Sequence, residues 1–123
     1  MKNGMRGQKG SEYDGGHRVP FFIHYPNGNL TSGRDVNMIT SYVDIVPTLI
    51  DYCGVPAPKG VKFDGFNIRD LLENRSGTWP DRILVTDSQR VRDLIKWRKS
   101  AVMTDQWRFI NGKEFYDIKV DYG

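Results

Sequence analysis

The hydrophobic pattern predicts a buried strand over residues 19–23, near the start of the chain. Phe21 and Phe22 are neighbours, so they point to opposite faces of an extended backbone. An apolar run with bulky side chains on both faces is typical of a strand in a sheet that helices cover. We therefore expect residues 19–23 to form a central strand.

A second pattern predicts a helix over residues 44–54. The apolar residues at the spacing of one helix face are Val46, Leu49, Ile50 and Cys53. The expected N-cap is Asp44, which places Pro47 in the first turn, where its missing N–H costs nothing. Gly54 is the expected residue just past the helix end. We expect this helix to lie on a face of the sheet and the Cys53 thiol to be buried.

The remainder of the chain predicts a short helix and several short strands. The helix has Asn67 as its expected N-cap. The predicted strands are residues 82–86, 100–103, 107–110 and 113–116. We expect the first of these strands to lie beside residues 19–23 and the others to form an antiparallel meander. Asn111-Gly112 is typical of a type I′ hairpin turn.

Composition and charge exclude several classes of protein. The length of 123 residues suits one domain. The net charge of +3 arises from cations that are interleaved with 15 acidic residues, whereas a nucleic-acid-binding face would cluster its cations. The basic stretch at residues 89–99, which fits a short helix or a loop, contains Trp97, but Asp93 interrupts it. It is therefore interpreted as a solvated surface and not as a nucleic-acid interface. No apolar run approaches the length of a membrane span.

Residues 4–26, GMRGQKGSEYDGGHRVPFFIHYP, resemble the loop-and-strand segment of the sulfatase family, which is arylsulfatase-like and belongs to the alkaline phosphatase superfamily. Three further segments continue the likeness in order: YVDIVPTLIDYCGVPAP, FDGFN and SAVMTDQWRFINGKEFYDI. The resemblance implies an α/β fold, with a partial mixed sheet, flanking helices and a small C-terminal antiparallel sheet. It implies a single domain over 1–123, with the end of the main sheet in 1–87 and the antiparallel meander in 88–123.

The resemblance also implies a catalytic role for Lys9, which matches the family's sulfate-contacting lysine. A fixed cation stabilises the charge that builds on sulfate oxygens as the S–O bond breaks. From the sequence pattern alone, an exposed loop lysine is the better interpretation of Lys9. Arg6 and His17 are further candidates for substrate binding, and Arg6 would either reach the anion or brace the loop. Asp14 is expected to form a structural ion pair with a neighbouring cation, since Arg18 follows four residues later.

The sequence does not contain the family's nucleophile motif, C-x-P-S-R or S-x-P-S-R, because Cys53 is followed by Gly-Val-Pro. His17 and His24 do not have metal-ligand spacing, and no acidic cluster suits calcium. We expect no cofactor in this chain, and calcium and a formylglycine in the full-length parent. The chain alone is therefore expected to be inactive.

Two hypotheses follow from the sequence. The first is a C-terminal fragment of a sulfuric ester hydrolase, whose parent is periplasmic or secreted. The alternative is a non-catalytic anion- or polysaccharide-binding module. The expected partner is a sulfated small molecule or carbohydrate, with no nucleic acid and no membrane. The chain starts within a functional-looking loop, so we expect a truncation whose exposed surface favours self-association.

Overall fold

A computed structural model describes residues 4–28, 30, 33–75 and 77–121. The chain forms two compact units. The first consists of the described residues within Met1–Phe21 and Asp81–Gly123, and the second of those within Phe22–Pro80. The predicted single domain, with a division after residue 87, stays a prediction.

The first unit contains a short helix and an antiparallel sheet. The helix is α1 (Asp14–His17), and the strands in sheet order are β1 (Leu84–Asp87), β2 (Ser100–Met103), β3 (Trp107–Ile110) and β4 (Glu114–Asp117). The predicted meander is therefore confirmed. Asn111 and Gly112 have φ angles of 54° and 68°, as the central residues of a type I′ turn require. The stretch between β1 and β2 is a loop and not a helix.

The two faces of this sheet differ in burial. On one face, Ala101 lies opposite Ile110, and both are buried. On the other face Val85 and Phe115 are largely exposed, and the ring of Trp107 stacks on that of Phe115 with 4.9 Å between centroids. The core of the first unit therefore lies on the face that carries Ala101 and Ile110.

The second unit is built around α2 (Ile45–Cys53), which a 3₁₀ turn over Tyr42–Asp44 precedes and which packs on α3 (Arg69–Leu72). The predicted helix over residues 44–54 is confirmed, and Gly54 follows it with φ 63°. The buried carboxylate of Asp44 accepts backbone N–H groups of Ser41 at 2.7 Å and Phe66 at 2.9 Å. The hydroxyl of Thr48 accepts the Ile68 N–H at 3.0 Å. These bonds join α2 to the segment that leads into α3.

The predicted central strand and mixed sheet are not formed by the described residues. Residues 19–23 pair with no strand in the described part of the chain, and Phe22 is 90% exposed. β1 pairs antiparallel with β2 and not with residues 19–23. A strand that is apolar on both faces needs neighbouring strands and covering layers on both sides, and the described part of the chain does not supply them.

The predicted burial of one α2 face is wrong for the same reason. Val46 and Leu49 are 52% and 46% exposed, and the thiol of Cys53, expected to be buried, is exposed. The buried residue of α2 is instead Thr48, whose hydroxyl bonds to the segment before α3. Within the described residues, no helix is long and apolar enough to cross a membrane.

Candidate functional site

The glycine-rich loop that carries Lys9 contains a tight turn. Gly7 and Gly10 flank Lys9 with φ angles of 91° and 84°, values that L side chains rarely adopt. The N–H of Ser11 donates to the carbonyl of Gln8 at 2.8 Å and closes the turn around Lys9. The backbone therefore fixes the position from which the Lys9 side chain leaves the loop.

Helix α1 packs its backbone directly against this loop. The N–H of Gly15 donates to the carbonyl of Arg6 at 2.8 Å. A Cβ atom at Gly16 would lie only 2.2 Å from the carbonyl oxygen of Ser11 and 2.8 Å from that of Gln8. Gly15 and Gly16 therefore allow the close approach of the two backbone segments, because a larger residue would push away the turn that holds Lys9.

The carboxylate of Glu114 on β4 anchors the loop to the sheet. It accepts a hydrogen bond from the Tyr13 hydroxyl at 2.6 Å and pairs with Arg6 Nη1 at 2.9 Å. The hydroxyl of Tyr116 donates to the same carboxylate. The guanidinium of Arg6 also lies 4.1 Å from the centroid of the Tyr13 ring, a cation–π arrangement. Two residues of the loop are therefore held by one acidic side chain of the sheet.

These bonds define the protonation states in the cluster. Hydrogen bonds from Tyr116 and Tyr13, together with the charge of Arg6, lower the pKa of Glu114. The hydrogen bond to Glu114 raises the pKa of Tyr13 to about 12. At neutral pH the cluster consequently contains a carboxylate, a guanidinium and protonated phenols, which is the combination that its hydrogen bonds require.

Asp14 forms a second anchor. Its carboxylate lies 3.0 Å from Arg108 Nε and 3.5 Å from His17 Nε2, while Arg18 is 4.0 Å away. Burial alone would raise the pKa of Asp14, but hydrogen bonds from His17 and Arg108 and the charge of Arg108 lower it. The predicted structural ion pair is confirmed. Its principal partner, Arg108 on β3, was missed because the two residues are 94 positions apart.

A third contact joins the loop to the hairpin turn that follows β3. The side-chain amide of Asn111 donates to the carboxylate of Glu12 at 2.6 Å. Beneath the anchored loop lies a cavity of about 20 Å³, lined in part by Arg6, Arg108 and Tyr116. This space suits about one water molecule. The cavity is therefore too small for a ligand larger than water.

The three predicted site residues differ in their contacts. Lys9 is exposed and has no hydrogen bond or ion pair with any residue that the structure describes. Arg6 contacts Glu114 and Tyr13, which fits the alternative in which Arg6 braces the loop. His17 contacts Asp14 through Nε2, and its Nδ1 is buried. Substrate contact by Lys9, Arg6 or His17 stays a prediction.

Calcium, which the resemblance implies for the parent, has no matching donor set in the described part of the chain. Residues 4–28, 30, 33–75 and 77–121 contain no group of three or more His, Cys, Asp or Glu side chains placed to hold a metal ion. The carboxylates of Asp14 and Glu114 are already paired with arginines. We therefore derive no step through a metal.

Comparison with known proteins identifies the family. An arylsulfatase of Clostridium perfringens is 40% identical over 79 residues, which are 62% of this chain and 16% of that protein. An arylsulfatase of Hemicentrotus pulcherrimus is 36% identical over 55% of this chain and 12% of its own length. A human steryl-sulfatase is 29% identical over 77% of this chain and 16% of its own length.

The chain thus spans less than a fifth of the length of these relatives. Residues 8–122 match the family described as N-sulphoglucosamine sulphohydrolase, C-terminal. This match contains Lys9, the anchoring carboxylates of Asp14 and Glu114 and the four strands β1 to β4. The chain therefore belongs to the sulfatase family, in the region described as the C-terminal part of N-sulphoglucosamine sulphohydrolase.

Proposed function

We propose that the chain is the C-terminal part of a sulfuric ester hydrolase and that it presents Lys9 to the sulfate group of the substrate. The names of the relatives, arylsulfatase and steryl-sulfatase, support the reaction class. The observation that supports this role is that the loop is anchored to the sheet whereas the side chain of Lys9 is unpaired among the described residues. The loop is anchored through Glu114, Asp14 and Asn111, whereas the Lys9 ammonium has no counter-charge among the described residues.

This contrast suits electrostatic catalysis. A cation that no carboxylate neutralises is available to a bound anion, and a rigid backbone presents it without reorganisation. We assign Arg6 and His17 a positioning role, because Arg6 is paired with Glu114 and His17 is directed at Asp14. Glu114 and Asp14 would then support catalysis only through the loop that they hold.

The rest of the catalytic apparatus would come from outside these 123 residues. The chain contains neither nucleophile motif of the family. We also propose that residues 19–23 join a sheet of the full-length protein, since the exposure of Val19 at 75% and Phe22 at 90% leaves a large apolar surface uncovered. A secreted or periplasmic location is supported by a Drosophila melanogaster relative named extracellular sulfatase SULF-1 homolog.

The test is turnover of an aryl sulfate by the full-length protein. Lys9→Ala should lower kcat by roughly a hundredfold to a thousandfold, the usual cost of losing one stabiliser of a developing oxyanion. Lys62→Ala, which removes another exposed loop lysine, is the matched control and should leave kcat unchanged. The 123-residue chain alone should show no turnover with or without calcium. Unchanged kcat in Lys9→Ala would show that Lys9 is only a surface lysine.

A further inference from the structure

A second cationic region lies where the β1–β2 loop meets the β3–β4 hairpin turn. Here a groove of about 470 Å³ is lined by Lys96, Trp97, Arg98, Lys99, Asn111, Lys113 and Glu114. The volume is in the range of a site for a ligand of several rings. This groove, which we call the hairpin groove, belongs entirely to the first unit.

The charge of the hairpin groove is unbalanced. None of its four cationic side chains, Lys96, Arg98, Lys99 and Lys113, forms an ion pair with the residues that the structure describes. Among the described residues of its lining the only acid is Glu114, whose charge is already shared by Arg6 and two tyrosines. Four cations without counter-charges around one concave surface are an arrangement that favours an anionic ligand.

The backbone of the groove wall is held in an uncommon conformation. Trp97 and Lys99 have φ angles of 66° and 50°, which are unusual for residues other than glycine and most of all for a bulky one. The Gln89 side chain exchanges two hydrogen bonds of 3.0 Å with the backbone of Ile95. A Cβ atom at Gly112 would lie 2.8 Å from the Trp97 ring, so only glycine fits beneath the indole. Such locally enforced conformations concentrate at binding sites.

The chemistry of the lining distinguishes between anionic ligands. Trp97 is 45% exposed and offers an apolar surface among the cations. A ligand that combines anionic groups with apolar ring faces fits the cations and the exposed indole together, and a sulfated saccharide is such a ligand.

We propose that the hairpin groove binds an anionic group of a sulfated oligosaccharide, separate from the sulfate at Lys9. The proposal rests on the proposed function for the identity of the anion as sulfate. The two sites are connected, because Glu12, Arg6 and Tyr13 of the Lys9 loop bond to Asn111 and Glu114 of the groove. The substrate would therefore be a chain that carries more than one sulfate.

The test measures binding of a fluorescent heparin octasaccharide to the 123-residue chain at low salt. Lys96→Gln with Lys113→Gln should weaken binding by about tenfold, the sum of two exposed charge contacts. The matched control, Lys59→Gln with Lys62→Gln, removes the same charge from exposed loops of the second unit and should change binding by less than about twofold. Circular dichroism melting should show that both double variants fold.

Three results would overturn the proposal. One is the absence of octasaccharide binding, and another is equal weakening by the two double variants. The third is tighter, groove-dependent binding of single-stranded DNA of the same charge, which would assign the groove to nucleic acid. Lys9→Ala should retain groove binding. A failure of sulfate-ester turnover with intact octasaccharide binding would count against the proposed function and not against the groove.

Discussion

Tyr13 donates a 2.6 Å hydrogen bond to Glu114, a residue 101 positions later in the chain. This bond ties the loop that carries Lys9 to the last strand of the sheet. The same carboxylate also accepts Arg6 and Tyr116. The placement of Lys9 therefore depends on residues at opposite ends of the sequence, and changes at β4 should be felt at the loop.

Tyr13→Phe should destabilise the chain without a large structural change. The substitution removes one hydrogen bond to a charged acceptor and keeps the ring beneath Arg6, so the free energy of unfolding should fall by about 1.5 kcal/mol. Urea denaturation checks this value. Tyr42→Phe is the control, because Tyr42 is 82% exposed and its loss of a hydroxyl should have no measurable effect. Equal effects of the two substitutions would contradict the anchoring role of Tyr13.

The carboxylates of the two anchors should make the chain sensitive to acid. The folded state lowers the pKa of Glu114 from its ordinary 4.5 and that of Asp14 from 3.8. The stabilisation is therefore complete above the unfolded values and is lost as pH falls from about 4.5 through the lower folded values. Melting temperature should fall over this range. Glu114→Gln should start lower at pH 7 and lose less between pH 5 and pH 3, whereas a parallel loss would exclude Glu114 as a contributor.

Local sequence patterns predicted the elements whose causes are local. Helix α2 and the type I′ turn at Asn111-Gly112 depend on nearby residues and were predicted, with Gly54 at the expected place. The prediction failed at residues 19–23, because the burial of that run depends on strands that the described residues do not supply. Cys53 is exposed for the same reason, because an apolar helix face shows which residues could be buried and not whether another element packs on them.

The candidate site was predicted in part. The glycine pattern located the loop, and family resemblance marked Lys9. The anchors could not be predicted from the sequence, since Arg108 and Glu114 belong to strands whose position relative to the loop is set by tertiary packing. The hairpin groove was visible only as a basic stretch, because its fourth cation, Lys113, comes from the neighbouring hairpin turn.

Gly16→Ala should separate the position of the Lys9 loop from the presence of Lys9. In an open helical position, alanine would add roughly 1 kcal/mol of stability over glycine. At Gly16 the new Cβ would lie 2.2 Å from the Ser11 carbonyl oxygen and 2.8 Å from that of Gln8, so the turn that holds Lys9 must move. Overpacking of this kind costs about 1–3 kcal/mol, and melting temperature should fall. Gly77→Ala is the control, since no atom of the described residues lies within 4 Å of a Cβ there. In the full-length protein, displacement of the Lys9 ammonium should lower kcat by about a hundredfold although Lys9 itself is unchanged. A Gly16→Ala variant with normal kcat and normal melting temperature would show that the turn does not position Lys9.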